Sequence, residues 1–231
     1  MMKTVIILQA RMNSSRLPGK AALKLSNKSV LAHVITRLKN FSKADQLVLA
    51  TTTAAMDDQI CSIGQECRIP VFRGPEENVL ERYYLCAKTY GADQIIRATA
   101  DDPLTSIELL EKMFARHMAC NADYTCAEGY PVGVQEEIVT FGALDRCYRF
   151  SDRPNHFEHV LEYIPEHPQD FRINVVNAEG KERRPDIRVT LDTAADFEVL
   201  QSYADNFKNM ERISMMEIVD FWDRIWKTEK E

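Results

Sequence analysis

Leu8-Gln9-Ala10-Arg11-Met12-Asn13-Ser14-Ser15-Arg16-Leu17-Pro18-Gly19-Lys20 is the stretch on which the fold turns. The apolar run Thr4-Val5-Ile6-Ile7-Leu8 leads into it and reads as a buried first strand. Val30-Leu31-Ala32-His33-Val34-Ile35 follows and opens an apolar helical pattern. The quoted stretch itself offers two arginines, a lysine, two serines and an asparagine, with no acid among them. That composition suits a polyanion, at the place where an open α/β sheet exposes its ligand crevice. It is neither the Gly-x-x-x-x-Gly-Lys-Ser/Thr P-loop nor the Gly-x-Gly-x-x-Gly of dinucleotide folds. Pro18-Gly19 predicts a turn that presents Lys20. Arg11 and Arg16 can grip phosphate bidentately, and Lys20 adds a point charge. Composition alone leaves two readings open, a phosphate site and a solvated loop.

Outward from the loop, strands alternate with helices. Strands are expected at 46–51, 70–72 and 94–98, and helices at 30–41, 56–66, 78–90 and from Ser106. This predicts an α/β fold with a mostly parallel sheet covered on both faces. After Asp123 the pattern changes. Strands at 124–127 and 134–140 lack a long helix between them, helices follow at 142–150 and 155–163, and extended stretches at 171–176 and 187–191. The middle of the chain, about 124–180, thus predicts a small mixed or antiparallel elaboration on a single domain spanning 1–231. Helices at 194–205 and 214–226 close the chain.

The bulk properties of the chain exclude several classes. Its 231 residues carry a net charge of −6, which argues against a general nucleic-acid or membrane binder. The first 43 residues nevertheless hold nine Lys/Arg and no Asp or Glu, a local basic pole suited to a compact anion. No apolar run approaches a membrane span and no secretory signal is visible, so a cytoplasmic protein is expected. The six cysteines include no Cys-x-x-Cys pair, and a zinc site is not expected.

Two further constellations lie at strand ends. Asp101-Asp102-Pro103 follows the third buried strand, where a carboxylate either caps the next helix or meets a metal bridging phosphates. Thr190-Leu191-Asp192-Thr193-Ala194-Ala195-Asp196 repeats the arrangement. There Asp192 stands at the strand end, and Thr193 with Asp196 forms a capping box. Gln135, Glu137 and His159, in the elaborated middle, are the acceptor-side candidates. His156 and His159 at helical spacing are a weak metal pair.

Together these stretches resemble the cytidylyltransferase family that activates acidic sugars, the CMP-KDO and CMP-acylneuraminate synthetases among them. The spore-coat polysaccharide biosynthesis protein F branch is the nearest in pattern. The resemblance rests on several motifs in the family's order, from about residue 4 to 200. They are the opening loop, Arg73-Gly74 with Val79-Leu80-Glu81-Arg82-Tyr83, and Arg97-Ala98-Thr99-Ala100-Asp101-Asp102-Pro103-Leu104. Tyr130-Pro131-x-Gly133 with Glu137, Glu158-His159-Val160 and Arg188-Val189-Thr190-Leu191-Asp192-Thr193 complete the set.

The resemblance implies a GT-A-like nucleotidyltransferase fold using Mg²⁺, CTP and a small-molecule acceptor, and a homodimer formed through the elaborated middle. It implies that Arg11, Ser14, Ser15, Arg16 and Lys20 hold the triphosphate and that backbone from Leu8 to Ala10 approaches the base. Arg82 and Thr99 match nucleotide contacts, and Asp101 and Asp192 match the metal-coordinating carboxylates. Arg11, Arg16, Lys20 and Asp101 would carry the chemistry. Three positions depart from the branch: Gln135 replaces Asp, Asp102 replaces Cys, and Ala194-Ala195 replaces Pro-Glu. A glycosyltransferase of similar fold would usually show Asp-x-Asp after a strand, where this chain has Asp-Asp-Pro. A nucleotide-binding scaffold without turnover is the remaining alternative.

Overall fold

A computed structural model of the chain describes residues 2–227. Strand β1 (Thr4–Gln9) is buried on both faces, and its side chains divide strictly by parity. Ile6 and Leu8 enter one core with Leu49, Ile96 and Ala98, whereas Val5 and Ile7 enter the other with Val48, Ala50 and Ile95. A continuous apolar run is therefore what this strand needs, because it has no solvent face.

The chain continues through a small hairpin, β2 (Lys24–Leu25) and β3 (Lys28–Ser29), into α1 (Val30–Leu38). Then come β4 (Gln46–Thr52), α2 (Asp58–Glu66), β5 (Val71–Gly74), α3 (Val79–Thr89), β6 (Gln94–Thr99) and α4 (Ile107–Ala119). The second half carries β7 (Tyr124–Glu128), β8 (Glu137–Thr140), α5 (Phe141–Phe150), α6 (Pro154–His159), α7 (Tyr163–Glu166), β9 (Ile173–Asn177), α8 (Ala194–Asn206) and α9 (Met215–Trp222). Side-chain caps start many of these helices. Ser29, Asn78, Ser106 and Thr140 each accept the backbone N–H three residues on, and Thr193 and Ser214 form full capping boxes.

The main sheet has seven strands in the order β5-β4-β1-β6-β8-β7-β9. Only β8 runs against its neighbours, antiparallel to both β6 and β7. The expected mixed elaboration is built onto the sheet itself, which β7, β8 and β9 widen. Helices α1, α4, α8 and α9 cover one face, and α3 and α5 cover the other.

The strand order reverses at β1, which pairs with β4 on one side and β6 on the other. The carboxyl ends of β1 and β6 meet there, at Gln9 and Thr99. Ligand crevices in open α/β sheets form at such a reversal.

Three expected elements differ. Residues 187–191 form no strand and make a single bridge, Val132 to Arg188, flanked by backbone bonds from Val132 to Ile187 and from Val189 to Val132. Gly133 explains the close approach: with φ +96°, a Cβ there would stand 2.6 Å from the Thr190 nitrogen. Strand β8 begins only at Glu137, later than expected. The helix expected over 155–163 breaks at Val160, whose φ of +58° no β-branched residue adopts readily. There the chain makes a tight turn, Leu161 donating to His159 across it.

Candidate active site

The opening loop folds back on itself. The Met12 carbonyl accepts from the Ser14 and Gly19 amides at 3.0 and 2.9 Å, and Gly19 takes the left-handed φ of +74° that the turn requires. One buried carboxylate anchors it. Asp57 accepts from the Met12 amide at 2.7 Å and also from the Thr51 and Thr52 hydroxyls. Burial alone would raise the Asp57 carboxyl, but these donors outweigh it and hold it below its ordinary value. Sequence reasoning did not single Asp57 out, and its place in the short connection between β4 and α2 was the available clue.

Pro18-Gly19 aims Lys20 inward, as the turn predicts. Its ammonium donates to Asp101 Oδ2 at 2.6 Å, to Asp192 Oδ1 at 3.0 Å and to the Leu191 carbonyl at 2.7 Å. Burial lowers the Lys20 ammonium's affinity for its proton, but the two carboxylates reverse this and leave it raised. The backbone locks the pair in place, with the Leu191 amide bonded to the Asp101 carbonyl at 2.8 Å. Asp192 is further held by Arg16 at 2.7 Å and by Arg188 at 2.6 Å. Against the effect of burial, Lys20 and Arg188 keep Asp192 ionised well into acid. Asp196, as expected, serves the capping box, and it also accepts from Arg188 Nε at 2.9 Å.

Arg16, Lys20, Asp101 and Asp192 line one cleft with Gln9, Ala10, Arg11, Ser14, Ser15, Thr99, Glu158 and His159. Arg11 lies 3.9 Å from Glu158 at the rim. The Leu8 side chain belongs to the core and does not line the cleft, so the wall of the cleft at this strand end is Gln9 and Ala10. Arg82 lies apart from these residues. It is fully buried, does not line the cleft, and donates to the Pro75 and Glu76 carbonyls, so it braces the loop before α3. Only its Nη1 is bonded in this way, and Nε and Nη2 are buried without a partner.

The acceptor-side candidates fall in two cavities that adjoin the cleft. Gln135 and Glu137 line an inner one with Asp102 and Glu136, whereas Glu137 and His159 line an outer one. Burial and the neighbouring Asp101 charge push Asp102 up to about 7, and burial raises Glu136 well above the carboxylate range. Arg97 lines both cavities and the cleft. Sequence reasoning quoted it only as part of a motif, although a charge inside a buried strand was the signal. His156 and His159 do not converge: His156 is buried against Glu166 at 2.9 Å, and His159 stands at the cleft rim.

Asp101 and Asp192 suit a hard divalent cation, because Mg²⁺ is commonly held by one or two carboxylates plus phosphate oxygens and water. Their oxygens already converge on one cationic centre, the Lys20 ammonium. Among the described residues no group of three or more His, Cys, Asp or Glu side chains forms an all-protein metal cage.

The family model for cytidylyltransferases matches residues 5–221. The chain belongs to the cytidylyltransferase family. Among its relatives, the spore coat polysaccharide biosynthesis protein SpsF of Bacillus subtilis is 31% identical over 225 residues, covering 95% of this chain and 94% of that one. An uncharacterized protein of Methanocaldococcus jannaschii is 35% identical over 223 residues, 96% of this chain and 91% of its own. The structure of a cytidylyltransferase from Leptospira borgpetersenii superposes with a TM-score of 0.91 at 29% identity, covering 97% and 95% of the two chains. A cytidylyltransferase is an enzyme that works on CTP, and the nucleotidyltransferase fold expected from the motifs is the fold observed. Among the described residues no helix is long and apolar enough to cross a membrane.

Proposed function

We propose that this cytidylyltransferase moves CMP from CTP to an oxygen of an acidic sugar or a phosphorylated small molecule, releasing pyrophosphate, in the synthesis of a surface glycan. The observation that carries the reading is the Lys20 ammonium shared by Asp101 and Asp192 beneath the basic loop. The acceptor oxygen attacks the α-phosphorus in line, the new P–O bond forming as the bond to the β-phosphate oxygen breaks. Arg11, Arg16 and Lys20 bear the triphosphate and stabilise the charge that builds on the α-phosphate and the leaving pyrophosphate. The Ser14 and Ser15 hydroxyls fix the phosphate oxygens, while Gln9, Ala10 and Thr99 border the nucleoside end. Asp101 and Asp192 would hold Mg²⁺, which when bound neutralises phosphate charge and helps polarise the nucleophile.

Such chemistry is chiefly positioning and electrostatics, so no nucleophilic triad is needed. The reading includes a homodimer formed through 124–180, supported by the exposed Phe150 on α5, 60% accessible. Pyrophosphate release, screened with four nucleoside triphosphates against acidic sugars and phosphorylated alcohols, tests the function. Release that depends on CTP and one acceptor class supports it. Tight CTP binding with no release from any pair would make the protein a nucleotide-binding scaffold.

A further inference from the structure

Arg97 is a charge set in a strand whose neighbours are buried. It lies between Ile96 and Ala98 on β6, opposite Ile7 of β1 and Glu137 of β8. Its one hydrogen bond among the described residues runs from Nη1 to Glu137 Oε2 at 2.5 Å. The other Glu137 oxygen is taken by the Tyr124 hydroxyl. Nε of Arg97 is shut off from solvent without a partner. A guanidinium carries five N–H donors, so this one is largely unspent.

Its position matters as much as its donors. No other described residue lines the cleft and both adjoining cavities. In those two cavities it is also the only lysine or arginine. The opening-loop cations Arg11, Arg16 and Lys20 line the cleft but neither adjoining cavity, so Arg97 is the guanidinium available to an anion there. Around it stand Asp102, Gln135 and Glu136, whose oxygens offer hydrogen-bond acceptors to a donor-bearing group. The arrangement is bipolar.

On the reading that CMP is transferred, we propose that Arg97 determines acceptor specificity by binding an oxyanion of the acceptor, a carboxylate or a phosphate, while the hydroxyl- or amine-bearing remainder lies beside Asp102, Gln135 and Glu136. A planar guanidinium matches either oxyanion bidentately. Glu137 then acts as a positioning residue, holding Nη1 so that the remaining donors face the junction.

Binding to the complex with a non-transferable CTP analogue tests this without requiring turnover. Calorimetry would compare 3-deoxy-manno-octulosonate, a hexose 1-phosphate and the neutral hexose, on the wild-type chain and on Arg97→Gln and Arg97→Lys. The expected result is binding of an oxyanion-bearing compound and not of the neutral hexose, weakened roughly 10- to 100-fold in Arg97→Gln. Arg97→Lys should recover part of the loss, and CTP affinity should stay within about threefold throughout. Which of the two oxyanions binds separates carboxylate from phosphate acceptors. Because Arg97→Gln leaves Glu137 without its cation, the double variant with Glu137→Gln serves if the single one misfolds. The proposal is overturned if neither oxyanion binds the wild-type complex, if the neutral hexose binds as well, or if Arg97→Gln lowers CTP affinity in proportion. Pyrophosphate release measured alongside separates the two ideas. Arg97-dependent binding without release contradicts only the transfer reading, and release indifferent to Arg97 contradicts only this one.

Discussion

Asp101 and Asp192 arrive from different parts of the chain and share a single ammonium, Lys20 Nζ, at 2.6 and 3.0 Å. Two carboxylates so close are tolerable only with a cation between them. Replacing Lys20 with Met should abolish more than about 99% of turnover and also lower the melting temperature, because both acids lose a charge-assisted bond. Millimolar Mg²⁺ should restore part of that lost thermal stability in Lys20→Met and add less to the wild-type chain without nucleotide. Scanning calorimetry with and without Mg²⁺ decides it, and an equal response of the two proteins would argue against a metal at this pair.

Gly133 holds the second carboxylate in place at one remove. A Cβ at φ +96° would press on the Thr190 backbone and drive 187–192 away from 130–134. Gly133→Ala should cost about 1–3 kcal/mol of stability. Its kcat should fall further than the unfolded fraction explains, because Asp192 moves with the segment. Urea unfolding beside steady-state kinetics gives both numbers, and a variant of normal stability and rate would show the close approach to be dispensable.

Asp57 ties the opening basic loop, through the Met12 amide, to Thr51 and Thr52 at the end of β4. Asp57→Ala should raise the KM for CTP roughly 10- to 100-fold with a smaller effect on kcat, since the loop's cations remain but are no longer pre-placed. A kcat loss with unchanged KM would place Asp57 elsewhere in the account.

His117 gives the pH dependence of stability. It is buried between Gln94 Oε1 at 2.8 Å and Thr125 Oγ1 at 2.9 Å, and burial pushes its imidazole down to about 4. The unfolded chain binds this proton near 6.5, so stability is full above that and is lost as pH falls from about 6.5 to about 4. The loss should amount to roughly 3 kcal/mol, the shift times the energy of one pKa unit. His117→Gln should flatten the stability profile in that window, and an unaltered slope would assign the acid sensitivity to other groups.

Much of this was legible in the sequence, for identifiable reasons. The parallel core strands announce themselves because β1, β4 and β6 are apolar on both faces, and the helix starts because Ser29, Ser106 and Thr193 are caps. The strand end before Asp101 followed from the same pattern, whereas the strand expected before Asp192 did not form. What the sequence hid depends on contacts between distant segments. Nothing local says that Asp57 will reach the Met12 amide, that Arg82 will turn to the Pro75 carbonyl instead of the cleft, or that Arg188 will brace Asp192. Residues 187–191 look like a strand because they are apolar and β-branched, yet they make only one bridge, docked on the backbone at Gly133.

The most direct test of the central claim is CTP-dependent pyrophosphate release by the wild-type chain and by Asp101→Asn, each with Mg²⁺ and the acceptor panel. The account predicts acceptor-dependent release by the wild type, reduced on the order of 10²-fold or more in Asp101→Asn while the variant stays folded. Equal release by the two proteins would contradict it.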